Sequence, residues 1–388
     1  MKPILCSIIV IAMVQGCSSR EEPPPPLDIR SGEFISAKRC GDCHRDIYQV
    51  WATSLHANAL TNPTFQASVQ EISNDQKSVQ SCMGCHAPVS QHVGQSIDAP
   101  AAREGVTCDY CHSISGSDTS NNVTLDIGGA KYGPVANAHS TGHAVQYSTL
   151  HTKSEVCSGC HEYNNTNGLK VLGTFSEWRS SESAAAGVTC QRCHMPLSTL
   201  NIVDPRIKRQ PSSFVNLHQM PGGHSKDQLF KALDLRILEA TRRGADIEVK
   251  VLVHNKGAGH NVPTGMPTRQ IVLTATVSGS KTGRQEQSRT FGSTVHDSAG
   301  RPLDRDSQVV LAGVRFARDT RLKPGEKRTE TFKFKIDANE NIDLASSLTY
   351  RYMPLGVDKP GLDFSFWERR QQSVMQWSEG KPVRKEKQ

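Results

Sequence analysis

Five times the chain reads Cys-x-x-Cys-His: Cys40, Cys43, His44; Cys82, Cys85, His86; Cys108, Cys111, His112; Cys157, Cys160, His161; and Cys190, Cys193, His194. Two thiols three positions apart can each close a thioether onto a haem vinyl group, and the histidine that follows then lies under the iron as its proximal ligand. One short loop thus grips a planar ring at three points. The pattern predicts five covalently bound c-type haems, with the ten cysteines as thioether donors and the five histidines as proximal iron ligands. Zinc is the rival reading, because paired cysteines also build zinc ribbons, but a zinc site has no use for a histidine at the same adjoining position five times over. Disulfides within the pairs would close very small, strained loops. The other two of the 12 cysteines, Cys6 and Cys17, fall in the N-terminal leader.

Ten further histidines could supply the second axial ligands: His56, His92, His139, His143, His151, His218, His224, His254, His260 and His296. If Arg45 to Leu60 is helical, His56 lies about 18 Å along the axis from His44, so it should serve a haem other than that of its own motif. His139, His143 and His151 precede the fourth motif in a stretch without a fold signal, which makes that stretch a source of ligands, with His143 first and His151 and His139 behind it. His224 follows Gly222 and Gly223, which let backbone approach a flat ring closely. His260 sits in a loop before the Pro263, Thr264, Gly265 turn and could reach a haem edge. The candidate set for distal iron ligation is therefore His56, His143, His224, His260 and His151. His92 and His218 stay in reserve, His254 and His296 read as surface positions, and Met195 and Met220 are the alternative sixth ligands.

The elements that must hold these groups divide the 388 residues in two. From 34 to 221 the motifs recur at intervals of 42, 26, 49 and 33 residues, too irregular for a solenoid. The segments between them are short helical patches and loops with little periodic apolar sequence, so the porphyrins themselves are expected to form the core. This suits a low apolar fraction of 36%. From 222 to 360 cysteines vanish and period-2 alternation begins, as in Leu233, Leu235, Ile237 and in Ile247, Val249, Val251, Val253 across the turn at Arg243 to Asp246. Strand character returns at Gln270 to Val277, Val309 to Phe316, Glu330 to Ile336 and Leu348 to Met353, which together predict an antiparallel β-sandwich. Residues 361–388 read as a charged tail. The fold class is α+β: an irregular, mostly helical multihaem domain with little regular structure, then the β-sandwich.

Residues 1–16 read as a lipoprotein signal peptide, since Lys2 precedes an apolar stretch from Ile4 to Val14 that is too short to span a bilayer. Val14, Gln15, Gly16, Cys17 fits a lipoprotein cleavage box, with Cys17 the lipidated residue and Ser18 after it in place of an aspartate. Residues 17–33 form a stiff tether with four consecutive prolines. The expectation is export, with a lipid anchor in the outer membrane facing the periplasm or the cell surface. The formal charge of +7 comes from scattered basic residues, which argues against nucleic acid as a partner. Removing Lys2 and adding about one negative charge per oxidised haem leaves roughly +1.

Cys40 to Ala57, reading CGDCHRDIYQVWATSLHA, resembles the opening haem segment of the multihaem cytochromes c related to the tetrahaem cytochrome of ammonia oxidisers and, more distantly, to hydroxylamine oxidoreductase. EGVTCDYCH at Glu104 to His112 and GVTCQRCHMP at Gly187 to Pro196 are similar to later haem segments of that superfamily. AGHNVPTGMPTR, from Ala258 to Arg269, resembles a loop of members with a C-terminal β-domain. The resemblance implies close-packed haems, two histidines on most irons, and a distal-ligand role for His56 within Trp51 to His56. It implies electrons passed along a chain of haems; taken with the leader and the five motifs, the first reading is an exported pentahaem electron carrier of a respiratory chain, exchanging electrons with a membrane quinol-oxidising complex or other cytochromes. Two alternatives stand beside it: an oxidoreductase acting on a small nitrogen or sulfur compound at one five-coordinate haem, and a subunit of a haem wire, homo-oligomer or membrane redox complex. The histidine surplus makes an electron-transfer protein the first reading and a substrate-converting enzyme the second.

Overall fold

The computed structural model describes residues 32–92, 99–118, 120 and 122–352, together with the backbone of strands at 364–371, 376–378 and 381–383. The leader, Cys17 and most of the tether lie outside the described residues.

Short helices carry the motifs. Gln76–His86, Cys108–His112, Glu155–His161 and Cys190–His194 each end on the motif histidine, and the first motif bridges Ala37–Gly41 and Arg45–Ala52. A single helical turn is what the chemistry requires, because it places residues three apart on one face. Local caps start these turns: Asp75 accepts from the Ser78 amide and Thr107 from the Tyr110 amide. Apolar packing in this half is thin, and its own cluster of buried residues is Phe34, Val89, Ala101, Ala102, Tyr110 and Ile114. Helices do not account for all of it. Four two-stranded ladders among the described residues, including Ile114–Ser117 with Val123–Leu125 and Leu197–Leu200 with Ser213–Asn216, brace the loops between motifs, beside short helices that remain the commoner element of this irregular half.

The second half is a sheet structure. Leu233–Arg243 pairs with Asp246–Asn255, which pairs in turn with Lys327–Lys335. A larger sheet runs Pro302–Leu303, Gly283–His296, Gln270–Gly279, Asp343–Arg351, Phe364–Gln371, with Arg315–Asp319 also on Gly283–His296. Ile247, Val249, Val251 and Val253 from the first sheet and Ile271, Leu273, Ala275 and Val277 from the second meet in one core. This is the two-sheet α+β architecture that the alternation implied. Two expectations are corrected. Val309 to Phe316 is not a strand: Asp306–Ala312 is a helix with an acidic first turn, ended before Gly313, and the strand begins at Arg315. Phe364–Gln371, assigned to the tail, continues the larger sheet beside Asp343–Arg351.

The halves are tied by side chains. Asn165 donates to the Gly313 carbonyl at 2.8 Å, and Glu177 on the helix Thr174–Arg179 pairs with Arg321 at 2.6 Å. Ser307 donates to Glu71, which fastens the helix Asp306–Ala312 onto Pro63–Glu71.

Candidate haem-binding site

All ten motif cysteines and all five motif histidines line one continuous cavity of about 2030 Å³. An ordinary small-molecule pocket has roughly 300–1,000 Å³. His56, His139, His143, His151, His218, His224 and His260 line the same space, and His92, His254 and His296 do not. None of the motif cysteines is in a disulfide, and among the described residues no three His, Cys, Asp or Glu side chains converge as a zinc site would require.

Thiols of different motifs touch. Cys40 meets Cys108, Cys85 meets Cys160, and Cys157 meets Cys190; these contacts, with burial second, push Cys108, Cys160 and Cys157 up from the usual thiol range. Motif 1 therefore adjoins 3, motif 2 adjoins 4, and motif 4 adjoins 5.

The imidazoles are held as metal ligands usually are, by a hydrogen bond from the nitrogen that faces away from the metal. Nδ1 of His44 lies 2.6 Å from the Ile202 carbonyl, that of His86 3.0 Å from Ala59, that of His112 2.6 Å from Tyr132, and that of His194 2.6 Å from Pro221. The same anchoring recurs outside the motifs, at His143 on Ala144, His218 on Asn216 and His260 on Asn261. Each arrangement leaves Nε2 free.

Two imidazoles that bind opposite faces of one iron at about 2 Å each hold their ring centroids about 6 Å apart. Four motif histidines meet a second imidazole at that spacing: His44 and His143 at 6.1 Å, His161 and His56 at 6.1 Å, His194 and His260 at 6.2 Å, and His112 and His218 at 6.3 Å. Burial pushes His112 and His161 down to about 3 and His56 down to about 4, which keeps them in the neutral form that ligates metal. The groups around them set their aim. Met220 backs His56 at Nδ1, so that methionine faces a distal candidate rather than a motif histidine. Glu177 holds the His260 loop through the Asn261 amide and the Thr264 hydroxyl.

The sequence-chosen residues separate at this point. His56, His143 and His260 meet motif histidines, and His56 faces His161 of the fourth motif rather than His44 of its own, although the helix ends at Ala52. His151 also stacks near His112, at 5.8 Å, but its Nε2 is taken by the Cys111 carbonyl, so the geometry favours His218, which the sequence held in reserve. His224 makes no ring contact with a motif histidine among the described residues. His86 is the exception among the proximal set, because its ring is stacked 3.7 Å on Phe65 and, among the described residues, no imidazole ring faces it. Sequence reasoning also passed over Arg269, Tyr350 and Tyr352, which bring polar groups to the cavity wall from the sheet half. Arg269 closes the Ala258 to Arg269 segment, and that position was the one available signal.

The family described as cytochrome c554 and c-prime matches residues 39–113, which span the first three motifs. No curated protein matches the chain. Among solved structures, the chain is similar to a penta-heme cytochrome c552 from Thermochromatium tepidum, with a TM-score of 0.69 at 21% identity over 88% of this chain and 100% of that one. At that identity the likeness is one of fold, and it extends through the sheet half.

Proposed function

We propose that the chain is a multihaem c-type cytochrome with a haem-based electron-transfer role, holding five haems and relaying single electrons between a membrane donor and another redox protein. The observation that carries this reading is the set of four facing imidazole pairs, which would saturate four haem irons and suit them to passing electrons. The haems, when bound, supply the one-electron chemistry; the chain supplies spacing, ligands and dielectric. His44 with His143, His112 with His218, His161 with His56, and His194 with His260 are the assigned axial pairs. The thiol contacts support an order in which motif 4 is the junction, adjoining motifs 2 and 5. Export and anchoring through Cys17 rest on the leader sequence, and other cytochromes are the partners that suit such a carrier.

A second reading is favoured by one observation. Among the described residues no imidazole ring faces His86, so a haem held by Cys82, Cys85 and His86 would have a position open to a small ligand. The test is a pyridine haemochrome count with low-temperature EPR of the oxidised holoprotein. Five haems, four low-spin and one high-spin, is the expected result. Five low-spin signals would remove the second reading, and two or more high-spin signals would overturn the ligand pairs.

A further inference from the structure

Arg269 is a half-buried cation on the cavity wall with no carboxylate at ion-pair distance among the described residues. Its guanidinium has five N–H groups. One donates to the Thr264 carbonyl at 3.4 Å, another group engages the Tyr350 hydroxyl, and the plane lies over the Tyr352 ring at 5.7 Å. Arg269 helps to form the wall of the cavity. Asp306 acts on it electrostatically from beyond ion-pair distance; that carboxyl also accepts from Thr268, and burial pushes it up. An anion of matching shape in the cavity would therefore complement the guanidinium at closer range.

The backbone makes room for this group. Gly265 has φ +86°, and a Cβ there would fall 2.5 Å from Arg269 Nη1. A Cβ at Gly223 would fall 2.6 Å from the Tyr350 hydroxyl oxygen. Gly223 leads directly into His224, which is electrostatically coupled to Arg269. Arg269, Tyr350 and His224 thus bring a planar donor fork, a hydroxyl and an imidazole to one place.

That place adjoins His86. The His86 ring stacks on Phe65, Phe65 belongs to the helix Pro63–Glu71, and Glu71 is bound by Ser307 of the helix that begins at Asp306. Asp306 and Arg269 interact, and Arg269 is coupled to His86 itself.

We propose that Arg269, with Tyr350 and His224, is a receptor for a small planar oxyanion beside His86, contributed by the sheet half to the haem half. A guanidinium fork matches a carboxylate or a nitrite-like anion, with two N–H groups to two oxygens. Two sources carry that chemistry: a porphyrin propionate, or a free oxyanion entering beside the iron. The inference rests on a haem being held at Cys82, Cys85 and His86, which the haem count of the unsubstituted protein tests separately.

The experiment compares holoprotein with Arg269→Gln and Arg269→Lys variants by two readouts: optical and EPR titration with sodium nitrite, and spectroelectrochemical midpoint potentials of all haems. A free-oxyanion site predicts that nitrite affinity falls at least tenfold in Arg269→Gln with the potentials unmoved. A propionate site predicts that one potential shifts while the others hold and nitrite titrates as before. If Arg269→Gln does not load its haems, Arg269→Lys decides, because it keeps the charge and loses the fork. Unchanged nitrite affinity together with unchanged potentials in a fully loaded variant overturns the proposal.

Discussion

The sheet half fills its interior with one cluster of 22 buried apolar side chains, whereas the cluster around Tyr110 in the haem half has six. Both halves are ordered by different means. In the first, side chains from facing sheets exclude water from each other. In the second, the chain is a set of short turns hung around a cavity, and the haems proposed to fill it would be covalently attached. The contrast predicts that substitutions of equal size will act differently on the two sides: apolar truncation should cost stability in the sheets, and loss of a single imidazole should change spectroscopy in the haem half. His260 is where the two meet, because it lies in the loop after Asp246–Asn255 yet faces His194.

The largest effect should come from Phe332→Ala, at a fully buried ring in the middle of the sheet core. Truncating such a ring costs about 3–5 kcal/mol. Denaturant unfolding followed by tryptophan-independent amide circular dichroism checks it, with haem absorbance recorded in parallel. The native variant should keep the parent's spin states. As its sheets unfold, one low-spin haem should convert to high-spin, that of His194, because its partner His260 leaves with the sheet half. Simultaneous loss of all low-spin signals at the first transition would break the comparison, since the haem half would then depend on the sheets throughout.

His218→Ala should have a smaller effect on stability and a complete effect on one iron. Its imidazole is the one whose Nδ1 is anchored and whose Nε2 is free opposite His112. EPR should gain one high-spin haem per chain. His151→Ala should leave spin states as they were, because His151 bonds the Cys111 carbonyl through Nε2. The reverse outcome would exchange their roles.

These two histidines show how much could be read before the fold. The attachment points were legible residue by residue, since five motifs state their chemistry within five positions each. The sheet half was legible too, because alternation in Ile247 to Val253 records burial directly, and the register of that hairpin follows from its two-residue turn. Its one misread strand, Val309 to Phe316, is apolar enough for either state, and only the acidic start and Gly313 mark it as a helix followed by a strand. The second ligands were legible only in part. His143 and His218 lie 99 and 106 residues from the histidines they face, and no periodicity links them. His56 and His260 were found through neighbouring motif residues. His218, in a plain Asn-Leu-His-Gln context, had no such neighbours. Arg269 was hidden for another reason: a half-buried arginine has no sequence signature until Gly265 beside it, and Gly223 beside Tyr350, are seen in place.

The smallest effect sharpens the contrast from the sheet side. Glu340 accepts from the Lys281 amide at 2.7 Å and the Thr282 amide at 2.6 Å, and from the hydroxyls of Ser280 and Thr282, so it pins the turn between Gln270–Gly279 and Gly283–His296. The Thr282 hydroxyl first, then the Lys281 amide, hold its carboxyl down from 4.5 to about 2. A folded value below the unfolded one means the stabilisation is complete above about 4.5 and is lost as pH falls through about 2. Glu340→Gln should therefore melt below the parent at neutral pH, and the two melting curves should converge between pH 4.5 and 2. Haem spectra should stay identical across that range, because no ligand depends on this turn. Melting temperatures measured against pH by differential scanning calorimetry check the convergence. Parallel curves would show that the carboxylate's charge contributes nothing there, and a spectral change in the variant would show that strain in a sheet turn reaches the irons.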